Sequence, residues 1–173
     1  MIGVSVLPRT LRLEGKDFNK YLAEDGIPDV LAARRAKGEL DRPALERYSK
    51  HVKALIQVGD ARTQRVDAEL GYPAELIPLD NPYVLRAGST LRVRALVDGK
   101  SVTNQAVLAG GHSAAGKRFR EATVRTDSNG VARVALRSRG VWYVKFINMR
   151  AVTTAGDSVD YESKWATMTF AIR

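Results

Sequence analysis

The stretch LRVRALVDGK at positions 91–100 alternates apolar and polar side chains and then ends in a turn signal. Its apolar members occupy every second position: Leu91, Val93, Ala95 and Val97. Because successive side chains of a β-strand point to opposite faces of the sheet, this spacing predicts a half-buried antiparallel strand. Asp98-Gly99 favours a tight hairpin after it, with residues 102–109 as the returning strand.

The same alternation continues towards the C-terminus. A second strand pair is predicted at 121–126 and 131–137, around the turn residues of 127–130. The inward-facing positions of the last two strands are Trp142, Val144 and Phe146, followed by Ala166, Met168, Phe170 and Ile172. Five or six short strands separated by turns predict a mainly β domain over residues 75–173. We expect a β-sandwich of immunoglobulin-like or prealbumin-like plan.

The N-terminal part, residues 1–74, is predicted to be one strand over 2–13 followed by a helical segment of about three helices. The first helix has an apolar stripe at Phe18, Tyr21 and Leu22, and the second runs from Asp29 to Lys37. The third follows an N-cap at Asp41 and ends before Gly59. Its apolar face would consist of Leu45, Tyr48, Val52, Leu55 and Ile56. Residues 59–74 are the predicted connector between the two domains.

Composition excludes several kinds of chemistry. The chain has 173 residues, no cysteine and two histidines, so thiolate nucleophiles, disulfides, iron–sulfur clusters and ordinary structural zinc sites are excluded. We expect a protein that is not an enzyme, with no catalytic residues, no metal site and no cofactor. The N-terminus lacks the basic flank and long apolar run of a signal peptide, and no stretch approaches a membrane span.

Positive charge is concentrated in the second half of the chain. Residues 1–70 contain 13 Lys and Arg against 11 Asp and Glu, whereas residues 71–173 contain 15 against 8, within a net charge of +9. Five arginines are predicted to share the outward sheet face as a candidate binding surface: Arg92, Arg94, Arg125, Arg133 and Arg137. This face is either simply solvated or a docking surface for a polyanion. Because no nucleic-acid reading module accompanies it, specific nucleic-acid binding is not expected.

Three local motifs favour structural interpretations. GHSAAGKR at 111–118 is similar to a phosphate-binding loop, but Arg118 replaces the hydroxyl residue and a strand-like stretch follows, which predicts a hairpin loop. His51 is predicted on a solvated face of the third helix. A carboxylate-rich stretch, Asp157, Asp160 and Glu162, is predicted to be a polar loop, with a calcium site as the alternative.

Five stretches of the chain carry a family resemblance. They are DFNKYLAEDGIPDVLAARRAKGEL (17–40), RPALERYSKHVKALIQVG (42–59), LIPLDNPYVLRAGSTLRVRALVDGK (76–100), VRTDSNGVARVALRSRGVWYVKFINM (124–149) and YESKWATMTF (161–170). In this order along the chain, they resemble a bacterial family, the domain-of-unknown-function family 4198. The resemblance implies a periplasmic or secreted protein, associated with nickel or cobalt uptake, with an N-terminal β-domain, a helical insertion and a C-terminal sandwich. A metal-uptake system or another envelope protein would be its partner.

This sequence departs from the family in two places. The signal peptide and a β-domain with an HDFWL-like segment are absent, and Asn148 precedes Met149 where the family often has histidine. No metal ligand is therefore transferred. We expect the strand at Ile2–Leu7, without that domain, either to fold back on the C-terminal sandwich or to form a homodimer.

The predicted function is a non-catalytic binding or accessory module of the cell envelope. The alternative is a polyanion- or glycan-binding sandwich that uses its basic sheet face, and an enzyme of unrecognised type comes third.

Overall fold

The computed structural model describes residues 1–60 and 65–173. The first half of the chain contains β1 (Ile2–Leu13), α1 (Gly15–Glu24), α2 (Pro28–Ala36), β2 (Ala44–Ala54), β3 (Ala74–Pro78) and a 3₁₀ turn at Pro82–Val84. The remaining elements are β4 (Thr90–Val97), β5 (Lys100–Ser101), β6 (Ala106–His112), β7 (Ala122–Arg125), β8 (Val131–Ala135), β9 (Gly140–Ala151) and β10 (Tyr161–Ile172). The expectation of a mainly β protein with helices is confirmed.

Two sheets share one core. The larger sheet has the strand order β1-β2-β10-β9-β6-β7, and the smaller sheet pairs β4 with β3 on one side and with β5 and β8 on the other. The β2–β10 pair is parallel, while the other strand pairs are antiparallel. The larger sheet therefore takes strands from both sides of residue 74, where the sequence suggests a domain boundary.

The core between the sheets consists of the side chains at every second position of the strands. β4 contributes Leu91, Val93 and Ala95, which are fully buried. From the larger sheet come Trp142, Val144, Phe146, Ala166, Met168, Phe170 and Ile172. Burial of a large apolar side chain contributes about 1.5–3 kcal/mol, so each of the large side chains in this core stabilises the fold by an amount of that order.

A second apolar cluster lies on the outer face of the larger sheet. Phe18 and Leu22 of α1 and Ile27 before α2 pack against Ile147 and Tyr161. Arg34 of α2 is 2% exposed and donates hydrogen bonds to the carbonyls of residues 39 and 42 at 2.6 Å. The first two predicted helices are confirmed, and their apolar stripe covers part of this sheet face.

The third predicted helix is wrong, because residues 44–54 form β2. The stripe of Leu45, Tyr48 and Val52 fits a helical period, but the chain instead alternates between the two faces of the sheet. Buried Lys53 forms its ion pair with Glu75, a residue 22 positions away. A strand between β1 and β10 places polar groups next to distant partners, which local spacing does not reveal.

Both predicted hairpins also differ from the structure. After the turn at Asp98-Gly99 the return strand is the two-residue β5, and β6 lies in the other sheet. The turn at 127–130 forms, with the Gly130 N–H donating to the Asp127 carbonyl at 3.0 Å, but β7 and β8 belong to different sheets. The chain therefore crosses between sheets after β5, on its way to β6, and again at the turn between β7 and β8.

The strand β1 pairs within this chain, with β2 at the edge of the larger sheet, and the expected pairing with a second copy stays a prediction. Residues 2–6 pair with residues 50–54, and after a bulge at Leu7 and Pro8 residues 9–13 pair with residues 44–48. The extra residue of the bulge keeps the apolar side chains of both halves on the helix-bearing face. Among the residues described, no helix is long and apolar enough to cross a membrane.

Candidate functional site

A cleft of about 740 Å³ opens between the sheets at the edge where β7 and β8 lie. We call it the basic cleft. Its walls are the segments 117–124, 133–135 and 137–138 together with Ala109, and its floor includes Trp142. The cleft exists because β7 and β8 belong to opposite sheets and leave this edge of the sandwich open.

Five cationic residues line the basic cleft, and all five are exposed. They are Lys117, Arg118, Arg120, Arg133 and Arg137. Among the described residues, no carboxylate forms a salt bridge with any of these five side chains. Glu121 lies on the wall, where its carboxylate accepts a hydrogen bond from the Tyr143 hydroxyl. Burial and this carboxylate raise the pKa of Tyr143, so the hydroxyl stays protonated.

The cleft has an apolar floor beneath its charged rim. The rings of Phe119 and Trp142 lie with their centroids 5.0 Å apart. Trp142 is 4% exposed and its indole N–H donates to the carbonyl of Ser138 at 2.9 Å, while Phe119 is half-buried. The contact between the two rings anchors the segment that carries the cations on either side of Phe119.

The segment 111–118, which is similar in sequence to a phosphate-binding loop, forms a hairpin turn, as predicted. The Ser113 N–H donates to the Lys117 carbonyl at 2.9 Å, and His112 bridges to Arg118. A bridge and the strand β7 follow Lys117, so the amide cradle of a helix N-terminus is missing at this position.

The five predicted arginines do not share one face. Arg92, Arg94 and Arg133 lie in the smaller sheet, with Arg92 directly opposite Arg133, whereas Arg125 belongs to the larger sheet. Of the five, the structure brings Arg133 and Arg137 into the basic cleft.

The other three predicted arginines lie outside the cleft. Arg92 donates to both carboxylate oxygens of Asp80, with its closest contact at 2.7 Å, and this pairing lowers the pKa of Asp80. Arg125 forms a two-pronged pair with Asp29 at 2.8 and 2.9 Å. Arg94 is half-buried, and its Nε has no hydrogen-bond partner. Two of the predicted binding residues therefore already have their counterions within the chain.

Sequence analysis missed three of the cleft cations. Lys117, Arg118 and Arg120 belong to the run KRFR, in which Phe119 anchors the segment on Trp142. Three cationic residues around one aromatic residue are a sequence signal from which this part of the cleft could have been predicted.

His51 lies between the sheets rather than on a solvated helix, so its predicted position is wrong. It is 3% exposed, and its two ring nitrogens hydrogen-bond the hydroxyls of Ser5 at 2.9 Å and Ser49 at 3.1 Å. Burial lowers its pKa, with a further contribution from the positive charge of Lys164. His51, Lys164 and Asp98 line one pocket of about 200 Å³, and Lys164 pairs with Asp98 at 2.6 Å.

Arginines accompany each member of the carboxylate-rich stretch. Asp157 accepts from Arg47 at 2.7 and 3.0 Å, which lowers the pKa of Asp157. Asp160 contacts Arg42 at 3.3 Å, and Glu162 pairs with Arg150. Within residues 1–60 and 65–173, no group of three or more His, Cys, Asp or Glu side chains is placed to hold a metal ion.

The fold and the basic cleft define a class: a two-sheet β protein with an exposed, positively charged cleft. The model of the family described as Domain of unknown function (DUF4198) matches residues 7–150, and the chain belongs to this family. No curated protein and no solved structure matches the chain.

Proposed function

We propose that this chain is a non-catalytic binding module of the cell envelope, periplasmic or secreted, that holds an acidic glycan in the basic cleft. Its scaffold would be a β-sandwich of immunoglobulin-like or prealbumin-like plan. One observation carries the proposal: five exposed cations line a single 740 Å³ cleft without a carboxylate of the described chain paired to any of them.

The argument depends on the difference between this cleft and the other charged surfaces. Arg92 and Arg125 lie beside Asp80 and Asp29, so an incoming anion would have to displace a carboxylate. At the basic cleft the cations repel one another, and an anion removes that repulsion as it binds. The half-buried ring of Phe119 offers an apolar surface for the carbon face of a sugar.

A salt titration with a heparin oligosaccharide as the probe tests this proposal. Binding to a polyanion releases counterions, so affinity should fall steeply with salt, and each cation removed should reduce the slope of log K against log salt by about one. The variants Arg120→Ala, Arg133→Ala and Arg137→Ala each remove one charge from the cleft. Lys100→Ala removes one charge from the exposed two-residue strand β5 and is the matched control.

We expect each cleft variant to weaken heparin binding several-fold, with the control unchanged. Binding that is absent, insensitive to salt or weakened equally by Lys100→Ala would contradict the proposal. Uncharged dextran should not bind, because it lacks the charge that the cleft recognises. Calorimetry with Ni²⁺ and Co²⁺ gives a separate outcome: metal binding by this chain would favour the metal-uptake role instead.

A further inference from the structure

The first strand, β1, is an edge strand with exposed apolar side chains. β1 is the terminal strand of the larger sheet, and in the described part of the chain only β2 pairs with it. Ile2 is 56% exposed, Val4 53% and Val6 37%, and all three lie on the same face of the sheet. An exposed apolar strand of this kind is a template for pairing with another chain.

This edge lacks the usual protection against pairing. Edge strands commonly carry lysine or other charged side chains, whereas the stretch MIGVSVLP at 1–8 has none. Pro8 lies in the bulge at the end of this stretch and limits the accessible ladder to residues 2–6.

Contacts on the inner face of β1 and with β2 keep residues 2–6 ordered. A Cβ at Gly3 would lie 2.4 Å from Leu70 and 2.6 Å from the Tyr72 hydroxyl, so the segment after residue 65 covers the inner face of β1. Ser5 is hydrogen-bonded to His51 across the β1–β2 pair. An edge that is already ordered loses little conformational entropy when a further strand is added.

The pattern IGVSV at 2–6 is symmetric about Val4. If two copies pair antiparallel around a twofold axis at this residue, Ile2 of one copy faces Val6 of the other and Val4 faces Val4. Gly3 faces Ser5, so large apolar side chains meet on one face and small residues meet on the other. A twofold interface requires this kind of self-complementarity. We infer that β1 is a homodimerisation strand, and that two copies join their larger sheets edge to edge through residues 2–6.

Cysteine cross-linking tests the register directly, because the chain has no cysteine of its own. Directly opposed residues of an antiparallel pair have Cα atoms about 4.5–5.5 Å apart, which is within disulfide range. Val4→Cys should therefore form a cross-linked dimer on mild oxidation. The control Val141→Cys places a thiol at another exposed valine of the same sheet face, on β9 and away from the edge. Cross-linking of Val4→Cys no faster than the control would overturn the inference.

Light scattering gives a second, independent result. The wild type should show twice the mass of one chain, and Val4→Lys should shift it to the mass of one chain because two lysines would then face each other on the axis. Val141→Lys should leave the dimer unchanged. A wild type that stays monomeric over the concentration series, or assemblies larger than two chains, would overturn the inference.

Discussion

At the scale of single residues, the clearest feature is the buried pair of Lys53 and Glu75. The two side chains are 3% and 2% exposed and lie 2.5 Å apart. Burial alone would raise the pKa of Glu75, but the Leu70 N–H, Lys53 and the Tyr72 N–H together lower it. Lys53 also donates to the carbonyl of residue 68 at 3.0 Å. The pair thus fixes the segment 68–72 against the sandwich.

Removing one partner should destabilise the fold strongly. Glu75→Gln leaves the charge of Lys53 buried without its counterion, which costs about 3–5 kcal/mol of unfolding free energy. Glu162→Gln, in the exposed pair with Arg150, is the matched control and should cost less than about 1 kcal/mol. Chemical denaturation of the three proteins measures these differences, and an equal loss in both variants would contradict the account of the buried pair.

The pH dependence of this effect follows from the lowered pKa of Glu75. A carboxyl whose pKa is lower in the folded state contributes stability above its ordinary value of 4.5, and that contribution is lost as pH falls through the folded value. The difference between wild type and Glu75→Gln should therefore be largest at neutral pH and shrink on acidification. Denaturation curves that stay equally far apart at every pH would contradict this sign.

At the scale of elements, α1 is held to the larger sheet through another buried carboxyl. Glu46 of β2 is 2% exposed and accepts hydrogen bonds from the Tyr21 hydroxyl at 3.1 Å and from Ser163. Trp165 donates to Ser163 at 3.0 Å and stacks on Tyr21 with ring centroids 5.8 Å apart. Burial raises the pKa of Glu46 more than these donors lower it.

Glu46 should therefore show the opposite pH dependence to Glu75. A carboxyl whose pKa is raised on folding contributes stability below its ordinary value of 4.5, and this is lost as pH rises through the folded value. Glu46→Gln keeps an acceptor but cannot ionise, so we expect it to be at least as stable as the wild type at neutral pH. Glu46→Ala should lose about 1–3 kcal/mol because Tyr21 and Ser163 lose their acceptor. Urea denaturation across pH measures both, and a Glu46→Gln variant as unstable as Glu46→Ala would contradict this assignment.

At the scale of the whole molecule, the parallel pair of β2 and β10 joins the two halves of the sequence. Nine residue pairs from Tyr161–Glu46 to Thr169–Ala54 form this ladder, and Leu55 continues into the core between the sheets. Separating residues 1–74 from the rest would expose the edge of β10 and the buried charge of Glu75. The stability of the two-sheet fold therefore depends on both residues 1–74 and residues 75–173.

We expect the chain to unfold in one cooperative transition. Tryptophan fluorescence reports on Trp142 and Trp165, and far-ultraviolet circular dichroism reports on the backbone of both halves. Coincident transitions by the two probes would indicate a single folding unit. Two separate transitions would instead support the division into residues 1–74 and 75–173 that composition and periodicity suggest.

Local pattern was sufficient for some elements and insufficient for others. The strands β4, β9 and β10 follow from alternation because their inner faces are uniformly apolar, and α1 and α2 follow from spacing and from the glycines at 26 and 38. β2 could not be predicted in this way, since it buries Glu46, Ser49, His51 and Lys53. The sequence pattern predicted two of the five cationic residues of the basic cleft, Arg133 and Arg137, but not the three in the KRFR run.

The sequence by itself determined the mainly β character, the absence of thiol chemistry, the excess of positive charge and the family, because these depend on composition, period and local motifs. Only the tertiary structure decided which strands pair, where the chain crosses between sheets and which cationic residues line one cleft. Such outcomes depend on contacts between residues far apart in the chain. The distance between Lys53 and Glu75, or between Arg120 and Arg133, is set by the packing of whole strands and not by any short stretch of residues.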